Sequence, residues 1–389
     1  MMLLAEQDSP LLIRDVEVFA PQPLGRRDVL IAAGRVLAIE SDLVPGTGFP
    51  LRRIEGRGRW LLPGLVDSLV HIGGGGGEGG FATRAEPLRA QQAFEAGVTT
   101  LIGALGTDEV TRSHADLLAC ARALSSEGLS AYVLSGSYRV PVATLTGCLR
   151  RDLVLIPEMI GAGEIAIADH RGSQPSAAEL ARIGADARVG GMLAGKRGTV
   201  LIHVGDAPEG LRLLHEVSDT SALPVWQWHP THINRNRPLF EQGIAWVTRG
   251  GSIDLTASTT PELLASGELP AADALLELLR RGAPVERITL SSDGQASLPH
   301  FDEQGRLLSL EVAPLSSLLD CLRALVIDHG QALQRVLPAF TRSPAELWGL
   351  PRKGRIEVGA DADLLLLDSS TMSVEVVVAR GSCHRLRIT

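Results

Sequence analysis

Two hydrophobic rhythms alternate along the chain, and the places where they change divide it into three stretches. Short β-prone runs at 11–19, 28–32 and 35–40 open it, punctuated by Gly34 and a Pro45-Gly46 turn. Similar runs at 362–367, 373–379 and 383–388 close it. Neither end buries a core alone, so the two are expected to share one small β-domain. Between them strand-like runs recur at 64–71, 98–104, 131–137, 164–169, 199–204, 225–230, 252–256 and 288–292. Amphipathic stretches such as 115–125, 209–217 and 271–281 separate them. Strands alternating with helices imply a parallel sheet, and eight such units imply a closed barrel. The expected class is α/β: a (β/α)8 TIM barrel over 63–350, with a small β-domain built from 1–62 and 351–389. A doubly wound open sheet is the alternative, but no GxGxxG follows a first strand with an acidic partner. The five glycines at 73–77 read as a flexible loop.

Composition narrows the classes. At 389 residues, 45% hydrophobic and 21% charged, the chain suits a large barrel with an appendage. A net charge of −8 and scattered arginines argue against nucleic acid as a partner, since phosphate recognition needs clustered cations. Four cysteines (Cys120, Cys148, Cys321 and Cys383) form no CxxC pair, so reduced thiols are expected rather than a zinc ribbon or disulfide framework. The opening Met-Met-Leu-Leu-Ala-Glu has no basic segment before its apolar residues, and no apolar run reaches membrane-spanning length. A cytoplasmic protein without membrane contact is expected.

Candidate chemistry lies where the strands end. His71 ends the first barrel strand and Tyr138 follows the third. Glu164 lies at the fourth, with Asp169 and Arg171 beyond it. His203 ends the fifth, His232 follows the sixth and Asp293 closes the eighth. In such barrels functional groups collect at the C-terminal rim. His71, Glu164, His203, His232 and Asp293 are the ligand types that suit a divalent transition metal. Each alone has a blander reading: a satisfied strand-end polar group, or for Asp293 a turn cap. Their recurrence at successive strand ends carries the argument. His114, His215, His300 and His329 are expected on the solvated surface, and His170 and His229 behind the site.

The motifs add a resemblance. Leu-Leu-Pro-Gly-Leu-Val-Asp at 61–67, leading to His71, and Gly-Ala-Asp-Ala-Asp-Leu at 359–364 resemble the amidohydrolase superfamily. Within it the chain resembles the isoaspartyl dipeptidases over nearly its whole length. The matching segments are 71–78, 105–108, 135–138, 167–171, 203–206, 230–236 and 290–294. The resemblance implies metal-dependent hydrolysis of dipeptides in which aspartate is linked through its β-carboxyl. It implies that Glu78 and Ser297 hold the substrate amino group, that Thr107 lines the pocket and that Gly76 is among the substrate-binding residues. Arg171 and Arg235 would grip carboxylates, Tyr138 would donate to the scissile carbonyl, and Asp293 would shuttle the proton. It also suggests a homo-oligomer.

Two departures matter. The family pattern at the first strand is His-x-His, and here it is Leu69-Val70-His71. Residues i and i+2 of a strand face the same way, so Leu69 puts an isobutyl group where a ligand belongs. The family's metal-bridging carbamylated lysine is replaced by Glu164, whose stem is much shorter. One zinc ion rather than two is therefore expected, held by Glu164, His203 and His232, as in the similar N-acetylglucosamine-6-phosphate deacetylase branch. Two other readings stand beside the dipeptidase: a related amidohydrolase acting on N-acyl amino acids or other acidic amides, and a catalytically silent paralogue serving in binding or assembly.

Overall fold

The computed structural model describes residues 9–46, 50–301, 304 and 306–386. The opening Met-Met-Leu-Leu-Ala-Glu and the last residues of the expected 383–388 strand lie outside them. Six strands form one parallel sheet: β6 (Leu65–Val70), β7 (Val98–Gly103), β8 (Ser130–Ser135), β9 (Met159–Ile167), β10 (Thr199–Val204) and β11 (Trp228–Thr231), neighbours in that order. A parallel pair, β12 (Ile253–Thr256) and β13 (Ile288–Ser291), continues it. Ile233 N–H donates to Asp254 O beside β11, and Val70 bridges Gly294 in parallel beside β6, so the pair spans the gap between the sheet's edges. The result is TIM-barrel-like. All positions of β6, β7, β9 and β10 are buried, which accounts for their near-continuous apolar sequence: one face meets helices and the other meets the barrel interior.

Helices cover the outside because the sequence supplies their ends. The longest, Ala177–Ala194, starts on a Ser176–Glu179 capping box and stops at Gly195, whose φ of 66° suits glycine. The interior is a separate apolar cluster of Val66, Leu69, Ile102, Leu134, Ile160, Leu201, Leu347 and Trp348. Leu69 is fully buried in it, so its isobutyl group is part of the barrel packing.

The chain ends meet in a second sheet. β1 (Leu11–Phe19), β2 (Pro23–Ala32), β3 (Arg35–Glu40), β4 (Arg52–Glu55) and β5 (Arg59–Pro63) come from the N-terminal side. β16 (Leu364–Asp368), β17 (Val374–Ala379) and β18 (Ser382–Arg385) come from the C-terminal side, and β16 pairs antiparallel with β5. A hairpin of β14 (Ser297–Phe301) and β15 (Leu307–Val312), absent from the sequence expectation, follows β13.

A buried polar layer ties β11, β12 and β13 together. The Asp254 carboxylate accepts hydrogen bonds from Thr231, Thr289 and Ser291, and Asp67 accepts from the Ser292 hydroxyl and N–H. Burial pushes Asp67 and Asp254 up to about 7 against the pull of those donors. A carboxyl raised above its unfolded value of about 3.9 binds more protons when folded. Stability from it is full below that value and drains away as pH rises through about 7. Chelator-treated Asp254→Asn should therefore lose less stability than wild type between pH 5 and 7, by up to about 1.4 kcal/mol per pH unit. Parallel urea midpoints for the two proteins would reject this origin of the pH dependence.

Candidate active site

The C-terminal strand ends open into a cavity of about 870 Å3, its open mouth included. Glu164, within β9, is 1% exposed, and its Oε1 lies 2.8 Å from His203 Nδ1 and 3.6 Å from His232 Nε2. His203 is the penultimate residue of β10, and its Nε2 meets Asp169 Oδ2 at 2.9 Å. His232 follows β11 at a φ of 60°, a left-handed turn that histidine tolerates better than most residues. Thr256 on β12 fixes its ring: the Thr256 hydroxyl is 2.6 Å from Nδ1, which leaves Nε2 facing Glu164.

The electrostatics suit a cation. Burial opposes ionisation of Glu164, yet the facing imidazoles of His203 and His232 hold it well below the usual carboxylate range. Burial pulls His232 down to about 4, so its imidazole is neutral and available as a ligand. Glu164 Oε2 is buried with no hydrogen-bond partner. One ligand atom from each of Glu164, His203 and His232 lies within 4.8 Å of the others, and all three residues are buried. Two imidazoles and a carboxylate with one orphaned oxygen fit a divalent transition metal.

His71 and Asp293 stand outside that group and face each other, His71 Nε2 being 3.2 Å from Asp293 Oδ1 without hydrogen-bond alignment. Burial alone would lower His71, but the Asp293 carboxylate and the charge of Glu164 push it up to about 9. Asp293 also has positive φ, 51°, which turns its side chain out of β13 into the cavity. The ring of His71 has room because position 106 is glycine: a Cβ there would come 2.9 Å from His71 Cε1.

The remaining residues singled out in the sequence also reach the cavity: Gly76, Glu78, Thr107, Tyr138, Arg171, Arg235 and Ser297. Thr107 donates to Glu78 Oε1 at 2.7 Å, and Arg171 Nη1 is 3.6 Å from the same oxygen. Asp169 holds the Arg171 guanidinium by two hydrogen bonds, Nε to Oδ1 at 3.0 Å and Nη2 to Oδ2 at 2.7 Å. The Tyr138 hydroxyl is 2.7 Å from His203 Nδ1, and burial holds its pKa well above 10, so it remains a donor. Arg235 Nε and Ser297 Oγ are buried without partners. At Gly76 a Cβ would come 2.2 Å from Ser297 Cβ, so only glycine fits there.

Several expectations need correction. The glycines at 73–77 are pinned: Gly74 N–H donates to His71 O, Gly75 N–H to Gln295 O, and Arg112 donates to the carbonyls of Gly73 and Gly75. Close approach explains Gly74, Gly75 and Gly76, where an added Cβ would come 2.2, 3.0 and 2.2 Å from a neighbouring atom. His114 is buried against Gly136 rather than solvated, and His215 and His300 are half-buried; His329 is exposed. His170 points to solvent, whereas His229 sits in the core between Ser252 and Thr289. Asn234, Thr256, Ser258, Leu263 and Glu268 line the cavity without having been singled out. For Asn234 and Ser258 the adjoining strand ends were the available signal; Glu268 had none.

A barrel of this kind with a carboxylate–imidazole group able to hold a metal is the arrangement of the metal-dependent amidohydrolases, and a match to the Amidohydrolase family covers residues 244–383. The chain is 40% identical to the β-aspartyl dipeptidase of Fervidobacterium islandicum AW-1, solved with a β-Asp-Leu dipeptide, covering 98% of this chain and 99% of that one at a TM-score of 0.90. It therefore belongs to the β-aspartyl dipeptidase family. A dihydroorotase of Lactiplantibacillus plantarum is 25% identical over 92% of this chain and 88% of its own length. The N-acetylglucosamine-6-phosphate deacetylase of Pasteurella multocida, 13% identical with a TM-score of 0.61 over 97% of this chain and all of that one, shares the fold alone.

Proposed function

We propose that this protein hydrolyses the isopeptide bond of β-aspartyl dipeptides. The observation that carries the reading is one cavity in which an ammonium-binding carboxylate, two arginines and a proton acceptor surround the Glu164–His203–His232 cluster. Glu78, backed by Thr107, takes the α-ammonium together with Ser297 and the tight turn at Gly76. Arg171 and Arg235 take the two carboxylates, for which the guanidinium fork is suited. Tyr138 donates to the scissile carbonyl oxygen, stabilising the charge that develops there. Asp293 accepts the proton of the attacking water and returns it to the leaving nitrogen. Glu164, His203 and His232 would hold a single zinc ion, which when bound supplies Lewis-acid activation of water and carbonyl.

The reading extends to a closed (β/α)8 barrel over 63–350 with a small β-domain from 1–62 and 351–389, supported by the strand pairing of the two chain ends. It extends also to a cytoplasmic homo-oligomer, supported by exposed Leu155, Met192 and Leu193 on two packed helices. Among the described residues no helix is long and apolar enough to cross a membrane. An N-acyl amino acid has no ammonium for Glu78, and a silent paralogue has no use for three buried, convergent ligands.

The test is hydrolysis of β-Asp-Leu beside α-Asp-Leu and an N-acyl aspartate. Turnover of the β-linked peptide alone, lost with chelator, is expected. Turnover of the acyl amino acid without any β-aspartyl peptide overturns the reading.

A further inference from the structure

Glu268 belongs to none of the roles above, yet it lines the cavity beside Arg235, Asn234, Ser258 and Leu263. It sits in the segment after the short helix Pro261–Ala265. That segment is held in place from the loop after β11: Leu269 N–H donates to Asn234 O, and the Asn234 amide donates to Leu269 O at 2.9 Å and to Thr256 O at 3.1 Å. Asn234 Oδ1 in turn accepts from Thr256 N–H, so the clamp holds the same β12 threonine that orients His232. The clamp presents a carboxylate of which Oε1 is buried and has no hydrogen-bond partner. Among the described residues Glu268 forms no ion pair. Burial raises its pKa, with Thr259 and the charge of Arg235 opposing.

Charge counting, which rests on the β-aspartyl dipeptide reading, leaves this group over. A β-aspartyl dipeptide with a neutral second residue carries one ammonium and two carboxylates. Glu78 answers the ammonium, and the arginines answer the carboxylates. Glu78 lies within 3.6 Å of Arg171, so these two define the aspartyl end. Arg235, whose charge Glu268 feels, is then left for the carboxylate of the second residue. Glu268 therefore lies beside that residue, with Leu263 next to it on the cavity wall. Glu268 is half-buried, and an oxygen buried without a partner is costly unless a donor or cation meets it. The only place left on the substrate for a further positive charge is the side chain of the second residue.

We propose that Glu268 selects β-aspartyl dipeptides whose second residue carries a cationic side chain, lysine or arginine. The methylene stem packs against Leu263 and the charged head reaches the carboxylate.

The experiment measures kcat/KM for β-Asp-Lys, β-Asp-Arg, β-Asp-Leu and β-Asp-Glu on the metal-loaded wild type, Glu268→Gln and Glu268→Lys, with thermal melts confirming that each variant folds. In the wild type the lysine and arginine peptides should exceed β-Asp-Leu. In Glu268→Gln the ratio of β-Asp-Lys to β-Asp-Leu should fall about 10–100-fold, the effect of a desolvated charge pair. Glu268→Lys should shift the preference toward β-Asp-Glu. Losses equal on all four peptides would show that Glu268 only balances Arg235 and would overturn the proposal, as would ratios that stay unchanged. A wild type inactive on all four, with turnover of an acyl amino acid, would fail the dipeptidase reading itself and is distinguishable from both.

Discussion

Asp293→Asn should lower kcat by about 10²–10⁴-fold, the usual worth of a positioned acid–base group. The amide matches the carboxylate in shape but accepts no proton, and neither Glu164 nor Tyr138 can take its place. Glu164 is committed to His203 and His232. Tyr138, held far above its ordinary value, can donate but not accept. KM should change little, because Asp293 acts on water and the leaving nitrogen rather than on the carboxylates and ammonium that the substrate presents. The variant has a second signature. Once the facing charge is gone, burial dominates at His71 and its pKa should drop from about 9, which an NMR titration of the chelated protein would follow. A kcat within tenfold of wild type would remove Asp293 from proton transfer.

The parts of this site that the sequence displayed are those fixed by position along a strand. His71, His203 and His232 could be found because a barrel strand ends where its apolar run ends, and the side chain just there faces the mouth. Glu164 was placed at the start of a strand over 164–169, whereas β9 runs Met159–Ile167 and carries it inside. The glycines of Met-Ile-Gly-Ala-Gly-Glu had hidden the first half of that strand. What could not be read is what depends on two distant strands at once. Asp254 sits mid-strand in an apolar context and looks like a violation of pattern until Thr231, Thr289 and Ser291 arrive from β11 and β13 to satisfy it. Thr256 orients His232 from the next strand. Glu268 acquires meaning only through the Asn234 clamp. The glycine run misled for a related reason: composition reports freedom of φ, but only the neighbours Ala85, Gln295 and Ser297 reveal that the freedom is spent on close approach.

Metal removal should have the other large effect, and the stoichiometry it reveals bears on how this chain differs from its family pattern. The purified protein should carry about one zinc ion per chain, three protein ligands with open room for water being sufficient for a hydrolytic site. Chelation should abolish turnover, and a single equivalent of zinc should restore it. A second ion beside His71 would need a further ligand where Leu69 stands, and Leu69 is fully buried among Ile102, Leu134 and Leu201, packing that no aqueous ligand set could replace without opening the barrel. Its remaining candidates, His71 and Asp293, are turned on each other. Glu164 Oε1 already faces both His203 and His232, leaving Oε2 as its one free oxygen. His232→Ala should abolish metal retention, since His203 and Glu164 alone leave a two-ligand site. Leu69→His with Glu164→Lys separates an adapted site from a crippled one. If the native site is complete, the double variant disrupts interior packing and gains nothing. Elemental analysis giving about two tightly held ions in the wild type, with His71 and Asp293 needed for the second, would instead place both residues in the metal centre.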